Sequence, residues 1–543
     1  MVMVCTLTGI LVWFVGRRLA TYLHTFQQEE YDALRFAAWW FEKRAFDRWA
    51  SLGLLIAIPF AFFQPAAGAL AAIIWLFWRG RHEPDTSKNA KKPLVFTVRA
   101  QRIWILAQIL AAPGLAYAAM LSAGSHPLAG LVLTVVLLQM AGMFLPLANG
   151  ILLPAQLYKN QSYLREATAI LRKMRPTVVS ISGAFGKTST KYFLAHILAG
   201  YRPTLTSPGS TNTPLGLARI IREQLQPHHA YFLAEMGAYK IGSIAGICEL
   251  FPPDICATTA IGAAHFERFK SLDAVAKAEF EVIDAVRSRH NLAQPGLAVL
   301  SIDCIPEALW RAKVAEAPSM FRLVSTHKNF LRDGDFWIKA VHHTPQGLTL
   351  EIEHKKTVYK LVTPLFGATM APNLATAFAL ATVLDVPPSH SIAALATVQP
   401  APHRLHVRDN GHNILIDDSY NSNPDGFITA LETLSLIARR DHDVSRRRVL
   451  VTPGMVELGT LHDAEHARVG TIAGQHADVA LIVGPARIPS FVAAMRAANP
   501  GLLYIPCEHF AAAQTWIQTH SQRGDVILLE NDLPDRYEAR WRL

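Results

Sequence analysis

The sequence lacks the cysteine pattern of a structural metal site. Its five cysteines are scattered along the chain, with no CxxC pair and no cluster of Cys and His. This spacing argues against structural zinc and indicates reduced, mostly buried side chains of a cytosolic domain. The sequence also lacks a basic stripe interleaved with aromatic residues, although its net charge is +10. Lys and Arg cluster instead beside apolar segments, which fits anionic lipid headgroups better than nucleic acid.

The chain is too long for a single hydrophobic core, since such cores stop growing at roughly 250–300 residues. It has 543 residues, of which 51% are hydrophobic. Its mean hydropathy of +0.20 is high for a soluble enzyme. The apolar excess lies before about residue 155. We therefore predict a helical membrane region over residues 1–160 and soluble domains after it.

The N-terminal apolar run, residues 2–16, is followed at once by Arg17 and Arg18. A signal peptide carries its positive charge before the apolar run and a small-residue cleavage site after it. Because the charge lies on the other side here, the sequence predicts an uncleaved anchor whose N-terminus is outside.

Three further apolar stretches complete the predicted membrane region. Residues 103–121 and 128–153 each approach or exceed the length of about 20 apolar residues that crosses a bilayer core. A short outer turn at residues 122–126 separates them. Residues 49–78 are apolar but interrupted at Gln64-Pro65, which predicts either a thin helical hairpin or a re-entrant pair.

Within residues 1–160, Lys and Arg fall in two segments that connect the apolar stretches, as a multi-pass topology requires. With five crossings, both basic segments and everything after Lys159 lie in the cytoplasm, at a bacterial-type inner membrane. The first segment contains Arg17, Arg18, Arg35, Lys43, Arg44 and Arg48, and the second contains Arg79, Arg81, Lys88, Lys91, Lys92, Arg99 and Arg102. Residues 27–44 alternate charged and aromatic residues at helical spacing, which predicts an amphipathic helix in contact with membrane lipid.

After Arg175, short apolar runs alternate with helical patterns, which predicts α/β units around a mostly parallel sheet. Thr177–Ser182 is predicted as a strand, a turn from Gly183 to Gly186 follows it, and residues 190–198 begin a helix. Strand, glycine turn and helix start form a cradle for phosphate. Lys187 reaches the terminal phosphates, and Thr188 offers a hydroxyl to Mg²⁺.

The cradle has the short form GxxGKT, with Ile181 where the usual phosphate-loop motif has its first glycine. This short form resembles the Mur ligases, and the later motifs are most similar to the MurF branch of that family. The matching stretches, in family order, are ISGAFGKTSTK (181–191), SPGSTNTPLG (207–216), LAEMGA (233–238), IGAAHFERFKSLDAVAKAEFE (261–281), APHRL (401–405), LIDDSYNSNPD (415–425) and TPGMVELG (452–459).

The resemblance implies an ATP-dependent, ADP-forming acid–amino-acid ligase that works through an acyl phosphate. In MurF the carboxylate belongs to the UDP-N-acetylmuramoyl tripeptide and the amine to D-Ala-D-Ala, in peptidoglycan precursor synthesis. The implied cofactors are ATP and Mg²⁺. The implied fold is a phosphate-loop central domain over residues 175–398 and a smaller Rossmann-like α/β domain over residues 399–543.

The resemblance also assigns roles to individual residues. It places Glu235 and His265 on the two metal ions, together with Thr188. The alternative for Glu235 is a surface carboxylate at a strand end. The residues expected around ATP are Gly183, Ala184, Phe185, Gly186, Lys187, Thr188, Ser189, Asn373, Arg404 and Asp418. For Asp418 an Asx turn before Asn423-Pro424 is an alternative.

The sequence departs from the family pattern at two places. Family members carry a carbamylated lysine where Glu279 stands here, so either Glu279 supplies the carboxylate directly or Lys277 is the modified residue. Residues two positions apart on a helix point in different directions, so Glu279 and Lys277 cannot both supply the carboxylate. A family His-Asn pair near the adenine is replaced by Thr369-Met370. Weaker substrate contacts are expected at Asn212, Asn421 and Asn423.

The N-terminal third leaves the substrate open, because the family domain that holds the UDP-sugar has no counterpart in residues 1–160. A membrane-associated ligase for a lipid-linked or polymeric carboxylate, such as poly-γ-glutamate, is therefore an alternative. A second alternative is a phosphate-loop ATPase that drives a membrane process, and a third is a catalytically inactive scaffold. The ATPase gives no reason for Glu235 and His265.

Overall fold

The computed structural model describes residues 1–42, 45–83, 94–124, 126–262, 269–289, 296–344, 346–420, 422–439, 446–456 and 458–531. Two predicted site residues, His265 and Asn421, lie outside this part of the chain. So do the basic residues Lys43, Arg44, Lys88, Lys91 and Lys92. The chain divides into two compact units, which meet between Lys159 and Asn160 in sequence.

In the first unit, Met1–Lys159, all of the secondary structure in the described residues is helical. Its helices are α1 (Val2–Gln28), α2 (Ala33–Glu42), α3 (Arg48–Phe63), α4 (Pro65–Arg81), α5 (Val98–Ala123), α6 (Pro127–Gln139) and α7 (Phe144–Met174), of which the last continues beyond Lys159. By length and composition, α1 and α5 are long and apolar enough to cross a membrane. The predicted anchor is thus longer than its apolar run, since α1 continues twelve residues past Gly16 to Gln28.

The predicted span over residues 128–153 is not one straight helix. It is bent by 54° between α6 and the residues from Ala141 onward. The bent pair counts as a third membrane span only if its two halves together make a single crossing. A short 3-10 turn, Ala141–Met143, occupies the bend. Gly142 lies against the Trp40 ring, where a Cβ would come within 1.5 Å of a ring carbon. The glycine therefore allows a bulky ring from α2 to pack at the break.

The two halves of the apolar stretch 49–78 form a tightly packed antiparallel pair, α3 and α4. Gly68 of α4 lies against Ala61 of α3, and Gly53 of α3 lies against Trp75 of α4, so that a Cβ on either glycine would overlap its neighbour. At about 1.5 Å per residue these helices are roughly 24–26 Å long, somewhat less than a bilayer core of about 30 Å.

Ionisable side chains are buried among these apolar helices. Arg18 of α1 forms ion pairs with Asp47 and Glu83, at 2.9 Å to the latter, and Arg79 of α4 lies 3.6 Å from Asp47. All four are less than 10% exposed. Charges buried this deeply need partners, because the desolvation cost of a lone ion is several kcal/mol.

The second unit, Asn160–Leu533, contains two sheets. The first has nine strands in the order β2-β3-β1-β4-β5-β6-β7-β8-β9, parallel as far as β7 and antiparallel from β7 to β9. Its strands are β1 (Thr177–Ser182), β2 (Thr204–Thr206), β3 (Tyr231–Glu235), β4 (Ile255–Thr258), β5 (Leu297–Ser301), β6 (Phe321–Ser325), β7 (Phe336–Thr344), β8 (Gly347–His354) and β9 (Thr357–Thr363). Its helices are α8 (Lys187–Ala199), α9 (Pro214–Gln224), α10 (Ser243–Leu250), α11 (Leu272–Glu279), α12 (Glu281–Arg289), α13 (Glu307–Ala315), α14 (Met370–Val383) and α15 (Pro388–Leu395).

The second sheet has six strands in the order β10-β11-β15-β12-β13-β14, all parallel except β10. Its strands are β10 (His406–Asp409), β11 (Ile414–Asp418), β12 (Arg448–Thr452), β13 (Val479–Val483), β14 (Leu503–Cys507) and β15 (Val526–Glu530). Its helices are α16 (Pro424–Ala438), α17 (His462–His476), α18 (Pro489–Ala498) and α19 (Phe510–His520).

The central sheet is buried on both faces, as a parallel sheet with helices on either side must be. Along β1, Val179 and Ile181 face one core with Phe378 of α14, while Val178 faces the other core with Phe232 of β3. The near-continuous apolar runs of the sequence follow from this double burial. The predicted α/β architecture with two mostly parallel sheets is confirmed.

Candidate active site

A glycine turn joins β1 to α8 in a conformation that other residues rarely adopt. Gly183 has a φ of +129° and Gly186 a φ of +80°. A Cβ on Gly183 would lie 2.3 Å from Thr259 Oγ1, and one on Gly186 would lie 2.2 Å from Asn373 Oδ1. Both positive φ and close packing therefore require glycine at these two positions.

Helix α8 begins at Lys187, three residues before the predicted start at residue 190. Lys187 and Thr188 consequently belong to its first turn, where backbone N–H groups have no partner within the helix and attract anions. The Lys187 side chain folds back and donates to the Gly183 carbonyl. Thr259, which directly follows β4, holds the glycine turn in place because its hydroxyl donates to the carbonyls of Ser182 and Phe185.

Glu235 is the acidic centre of the site. It ends β3, directly beside Ile181 of β1, and is 1% exposed. The alternative of a surface carboxylate at a strand end is therefore wrong. Glu235 Oε2 accepts a hydrogen bond of 2.9 Å from Thr188 Oγ1, and Oε1 accepts one of 3.3 Å from Asn212 Nδ2.

Lys191 is a site residue that the sequence predictions missed. Its Nζ lies 3.2 Å from Glu235 Oε2 and also donates to Ser207 Oγ and, at 2.5 Å, to the Gly209 carbonyl. Burial lowers the pKa of Lys191, and the Glu235 carboxylate opposes that shift. Its position four residues after Lys187, on the same face of α8, is the sequence signal that points to it.

The structure separates the two candidates Glu279 and Lys277. Glu279 lies at the end of α11, is 3% exposed, and its Oε2 accepts a 2.7 Å hydrogen bond from the Gly183 backbone N–H. The Glu279 carbonyl also accepts from Ser182 Oγ at 3.0 Å. Lys277 is exposed on the same helix. Only Glu279 of this pair touches the phosphate loop.

Asn373, at the start of α14, also contacts the loop and α8. Its Oδ1 accepts from Thr190 Oγ1 at 3.3 Å, and its Nδ2 donates to the Thr369 carbonyl at 3.1 Å. The replaced pair Thr369-Met370 thus lies one turn from the loop.

The C-terminal domain brings further predicted residues to the carboxyl edge of its sheet. The Arg404 guanidinium stacks on the Tyr420 ring, 4.4 Å from its centroid, and the Tyr420 hydroxyl is hydrogen-bonded to Ser210 of the central domain. Asp418 Oδ1 accepts a 2.9 Å hydrogen bond from the Leu405 N–H. The Asx turn considered for Asp418 belongs instead to Asp417, whose Oδ1 accepts from the Ser419 N–H at 3.3 Å.

The weaker candidates have local partners. Asn423 caps α16, since its Oδ1 accepts from the Gly426 N–H at 3.0 Å. Asn212 Nδ2 donates to Glu235 Oε1, and Asn212 Oδ1 accepts from the Tyr239 hydroxyl at 2.9 Å. Asn212 is therefore part of the site, and the Asn423 side chain is engaged in starting a helix.

Family models match the second unit over nearly its whole length. The Mur ligase middle domain matches residues 181–381, and the glutamate ligase domain of the Mur ligases matches residues 403–530. The chain belongs to the Mur ligase family. The Mur ligase motifs expected from the sequence thus lie in two matched domains that meet at Tyr420 and Ser210.

Individual relatives are MurF proteins by name. The chain is 29% identical over 310 residues to the UDP-N-acetylmuramoyl-tripeptide–D-alanyl-D-alanine ligase of Escherichia coli (strain K12), which covers 57% of this chain and 64% of that protein. It is 31% identical over 302 residues to the protein of that name from Mycobacterium tuberculosis (strain H37Rv), covering 55% of this chain and 56% of that protein. The chain thus spans less than two thirds of the length of these curated relatives.

Solved structures agree on the Mur ligase fold. MurF from Acinetobacter baumannii superimposes with a TM-score of 0.57 at 24% identity, covering 68% of this chain and 77% of that one. MurF ligase from Thermotoga maritima in complex with ADP superimposes with a TM-score of 0.56 at 22% identity, covering 68% and 80%.

Proposed function

We propose that this Mur ligase is an ATP-dependent, ADP-forming amide ligase. It activates a substrate carboxylate as an acyl phosphate and then joins the acyl group to an amine. The observation that carries the proposal is the contact of Thr188 with Glu235, 2.9 Å apart at the mouth of a two-glycine phosphate loop. A buried carboxylate beside the loop hydroxyl indicates a site for a nucleotide with Mg²⁺ and not for phosphate alone.

The residues present fit a nucleotide phosphate chain and a divalent cation. The Gly183–Gly186 turn leaves no room for a Cβ, so backbone N–H groups can approach an anion closely. Thr188 Oγ1 and Glu235 Oε2 are oxygen donors of the kind that Mg²⁺ prefers. Bound Mg²⁺ would offset the negative charge that the phosphoryl oxygens carry during transfer.

In the first step a carboxylate oxygen of the substrate attacks the γ-phosphorus of ATP, and the bond to the β-phosphate oxygen breaks. Lys187 leaves the Gly183 carbonyl and donates to the terminal phosphates, while the first turn of α8 holds them in line. Lys191 holds Glu235 in place through the 3.2 Å ion pair between its Nζ and Glu235 Oε2. The chain contributes mainly positioning and charge stabilisation, which dominate phosphoryl transfer.

In the second step the amine nitrogen attacks the acyl carbon, and the bond to the phosphate oxygen breaks. We propose that closure of the C-terminal domain brings Arg404 over the nucleotide at this stage, because its planar, always-charged donor suits a phosphate target. The stacking of Arg404 on Tyr420 and the bond from Tyr420 to Ser210 support this role, since they link the arginine to the central domain.

Glu279 is proposed to provide the carboxylate that the family draws from a carbamylated lysine. Its hydrogen bond to the Gly183 N–H supports that assignment over Lys277, which is exposed. A side chain that carries its own carboxylate needs no carbon dioxide to form it.

We propose UDP-N-acetylmuramoyl tripeptide as the carboxylate and D-Ala-D-Ala as the amine, because the relatives named above carry that activity in their names. Neither the phosphate-loop ATPase nor the inactive scaffold is supported by such relatives. A lipid-linked carboxylate is the second candidate, favoured by the apolar helices of residues 1–159 alone.

We also propose that residues 1–159 lie in a bacterial-type inner membrane as a multi-pass region, with the ligase domains in the cytoplasm. Two membrane-length helices support this placement, as do exposed large side chains such as Leu55 and Phe63 on α3 and Ile109 on α5. An apolar surface of this extent is unusual on a soluble unit and indicates lipid or protein contact.

The test incubates detergent-solubilised protein with ATP, Mg²⁺, D-Ala-D-Ala and either the UDP-linked tripeptide or a lipid-linked equivalent. Mass spectrometry then measures the amide, and a coupled assay measures ADP. Product from the UDP-tripeptide supports the MurF-like assignment, whereas product from the lipid-linked acceptor alone overturns it and keeps the ligase chemistry. Lys187→Ala should abolish both activities, and turnover that survives the change would contradict the phosphate-loop role.

A further inference from the structure

Two acidic residues lie side by side at the carboxyl edge of the C-terminal sheet. Asp418 ends β11 and Glu530 ends β15, and the two are paired in parallel register. Strand β15 returns between β11 and β12 after the chain has run outward to β14, so the strand order reverses at this point. Ligands of open α/β sheets bind at such reversal points, beyond the carboxyl ends of the strands.

One oxygen of this pair is buried without a hydrogen bond. Glu530 is 1% exposed, and its Oε1 accepts from Ser422 Oγ. Within the part of the chain that the structure describes, Glu530 Oε2 has no hydrogen-bond partner. A buried carboxylate oxygen left in this state costs about 1–3 kcal/mol, so it indicates a ligand that donates to it.

The electrostatics favour a cation at this point. Burial, followed by repulsion from Asp418, raises the pKa of Glu530 well above its usual range. Burial also raises the pKa of Asp418 to about 6, against the attraction of Arg404. A positively charged group between the two carboxyls would relieve both the repulsion and the missing hydrogen bond.

Neighbouring residues connect the pair to the phosphate site. Tyr420, two residues after Asp418, is hydrogen-bonded to Ser210, and the neighbouring Gly209 carbonyl accepts from Lys191. A short series of contacts thus joins the acidic pair to Glu235 in the phosphate site.

We infer that Asp418 and Glu530 bind the ammonium group of the amine substrate. The inference rests on the proposed ligase function and names the site of its second substrate. A primary ammonium group has three N–H donors, which suit Glu530 Oε2 and the Asp418 carboxylate together. The class of ligand is therefore an amine that is protonated in solution, such as the N-terminus of an amino acid or dipeptide.

The acidic pair also accounts for the protons of the second step. One carboxylate accepts a proton from the ammonium group, which leaves a neutral amine. Its nitrogen attacks the acyl carbon, the C–N bond forms, and the C–O bond to phosphate breaks. The second N–H proton leaves with the phosphate, so that amide and hydrogen phosphate are the products.

The experiment separates amine binding from carboxylate activation. Hydroxylamine is small and uncharged near neutral pH, and it traps an acyl phosphate as the hydroxamate without needing an ammonium site. Wild type, Glu530→Gln and Asp418→Asn are assayed with ATP, Mg²⁺ and the UDP-linked tripeptide, with either D-Ala-D-Ala or hydroxylamine. Glu432→Gln, an exposed acid on α16, is the matched control.

We expect Glu530→Gln to raise the KM for D-Ala-D-Ala about tenfold or more while hydroxamate formation stays within about twofold of wild type. Asp418→Asn should raise the same KM. N-acetyl-D-Ala-D-Ala, which has no ammonium group, should not compete with the dipeptide. For Glu530→Gln, an unchanged KM, an equal loss of hydroxamate, or rescue by added Mg²⁺ would each overturn the site.

If wild type forms no hydroxamate, the proposed function fails separately. Binding of D-Ala-D-Ala to wild type and to Glu530→Gln is then compared by NMR in the presence of a non-hydrolysable ATP analogue. Equal binding to both proteins, or binding to neither, would overturn the amine site. Thermal unfolding of each variant excludes misfolding as the cause of a loss.

Discussion

The Gly183 N–H donates to Glu279 Oε2 at 2.7 Å, which joins the phosphate loop to the end of α11. A second bond, from Ser182 Oγ to the Glu279 carbonyl at 3.0 Å, fixes the same helix end to β1. The buried carboxylate therefore holds the first residue of the loop and lies where this chain departs from the lysine of the family pattern. Its charge, and not only its shape, is expected to matter.

Changing Glu279 to Gln removes the charge and keeps the size of the side chain. We expect ADP release to fall about 10²-fold, as for loss of one preorganised charged group in an active site. Added bicarbonate should not change the wild-type rate, because Glu279 needs no carbamylation. Lys277→Ala tests the alternative on the same helix and should retain wild-type turnover. A loss with Lys277→Ala and none with Glu279→Gln would reverse the assignment.

Changing Gly183 to Ala places a Cβ where Thr259 Oγ1 lies and imposes a φ of +129° on a residue with a side chain. The backbone strain alone costs about 1–3 kcal/mol. We expect weaker binding of an ATP analogue, measured by calorimetry. Gly411→Ala is the control, since Gly411 has a φ of +81° and no atom near its Cβ position. If both variants bind the nucleotide equally well, the close approach at Gly183 is not what the loop requires.

The raised pKa of Asp418 makes stability depend on pH. Because its pKa is about 6 in the folded protein and 3.8 as a free side chain, the folded state binds this proton more tightly. Its contribution to stability is thus full below pH 3.8 and is lost as pH rises through about 6. Asp418→Asn should lose this dependence, so its unfolding free energy relative to wild type should increase between these pH values. Parallel curves for the two proteins in chemical denaturation would contradict the shift.

Arg18 of α1 forms buried ion pairs with Asp47, which caps α3, and with Glu83, which follows α4. Replacing Arg18 by Ala would leave Asp47 and Glu83 without this partner in an apolar environment, at a cost of about 3–5 kcal/mol. We expect a clear fall in the thermal midpoint of the detergent-solubilised protein. Arg35→Ala, which removes an exposed arginine of α2, should leave the midpoint unchanged. Equal midpoints for the two variants would show that the buried pairs do not hold the helices together.

The strands and the phosphate loop were accessible from sequence because their signals are local. Thr177–Ser182 is a strand with the predicted bounds, since its β-branched residues are buried on both sides of the sheet. The start of α8 was misplaced by three residues, because Lys187 and Thr188 look like loop residues until the glycine turn is seen to end at Gly186. The bend at Ala141–Met143 was missed, and the ring that lies against Gly142 there belongs to Trp40 of a distant helix.

The sequence by itself determined the phosphate loop and the likeness to the Mur ligases, since GxxGKT and the ordered Mur motifs specify a phosphate loop with acidic partners. It also determined that residues before about 155 are apolar enough for a membrane. Only the tertiary structure placed Glu279, and not Lys277, against the phosphate loop, brought Lys191 onto Glu235, and paired Asp418 with Glu530 across 112 positions. Such choices depend on which side chains meet when distant strands and helices pack together, and no local pattern records that.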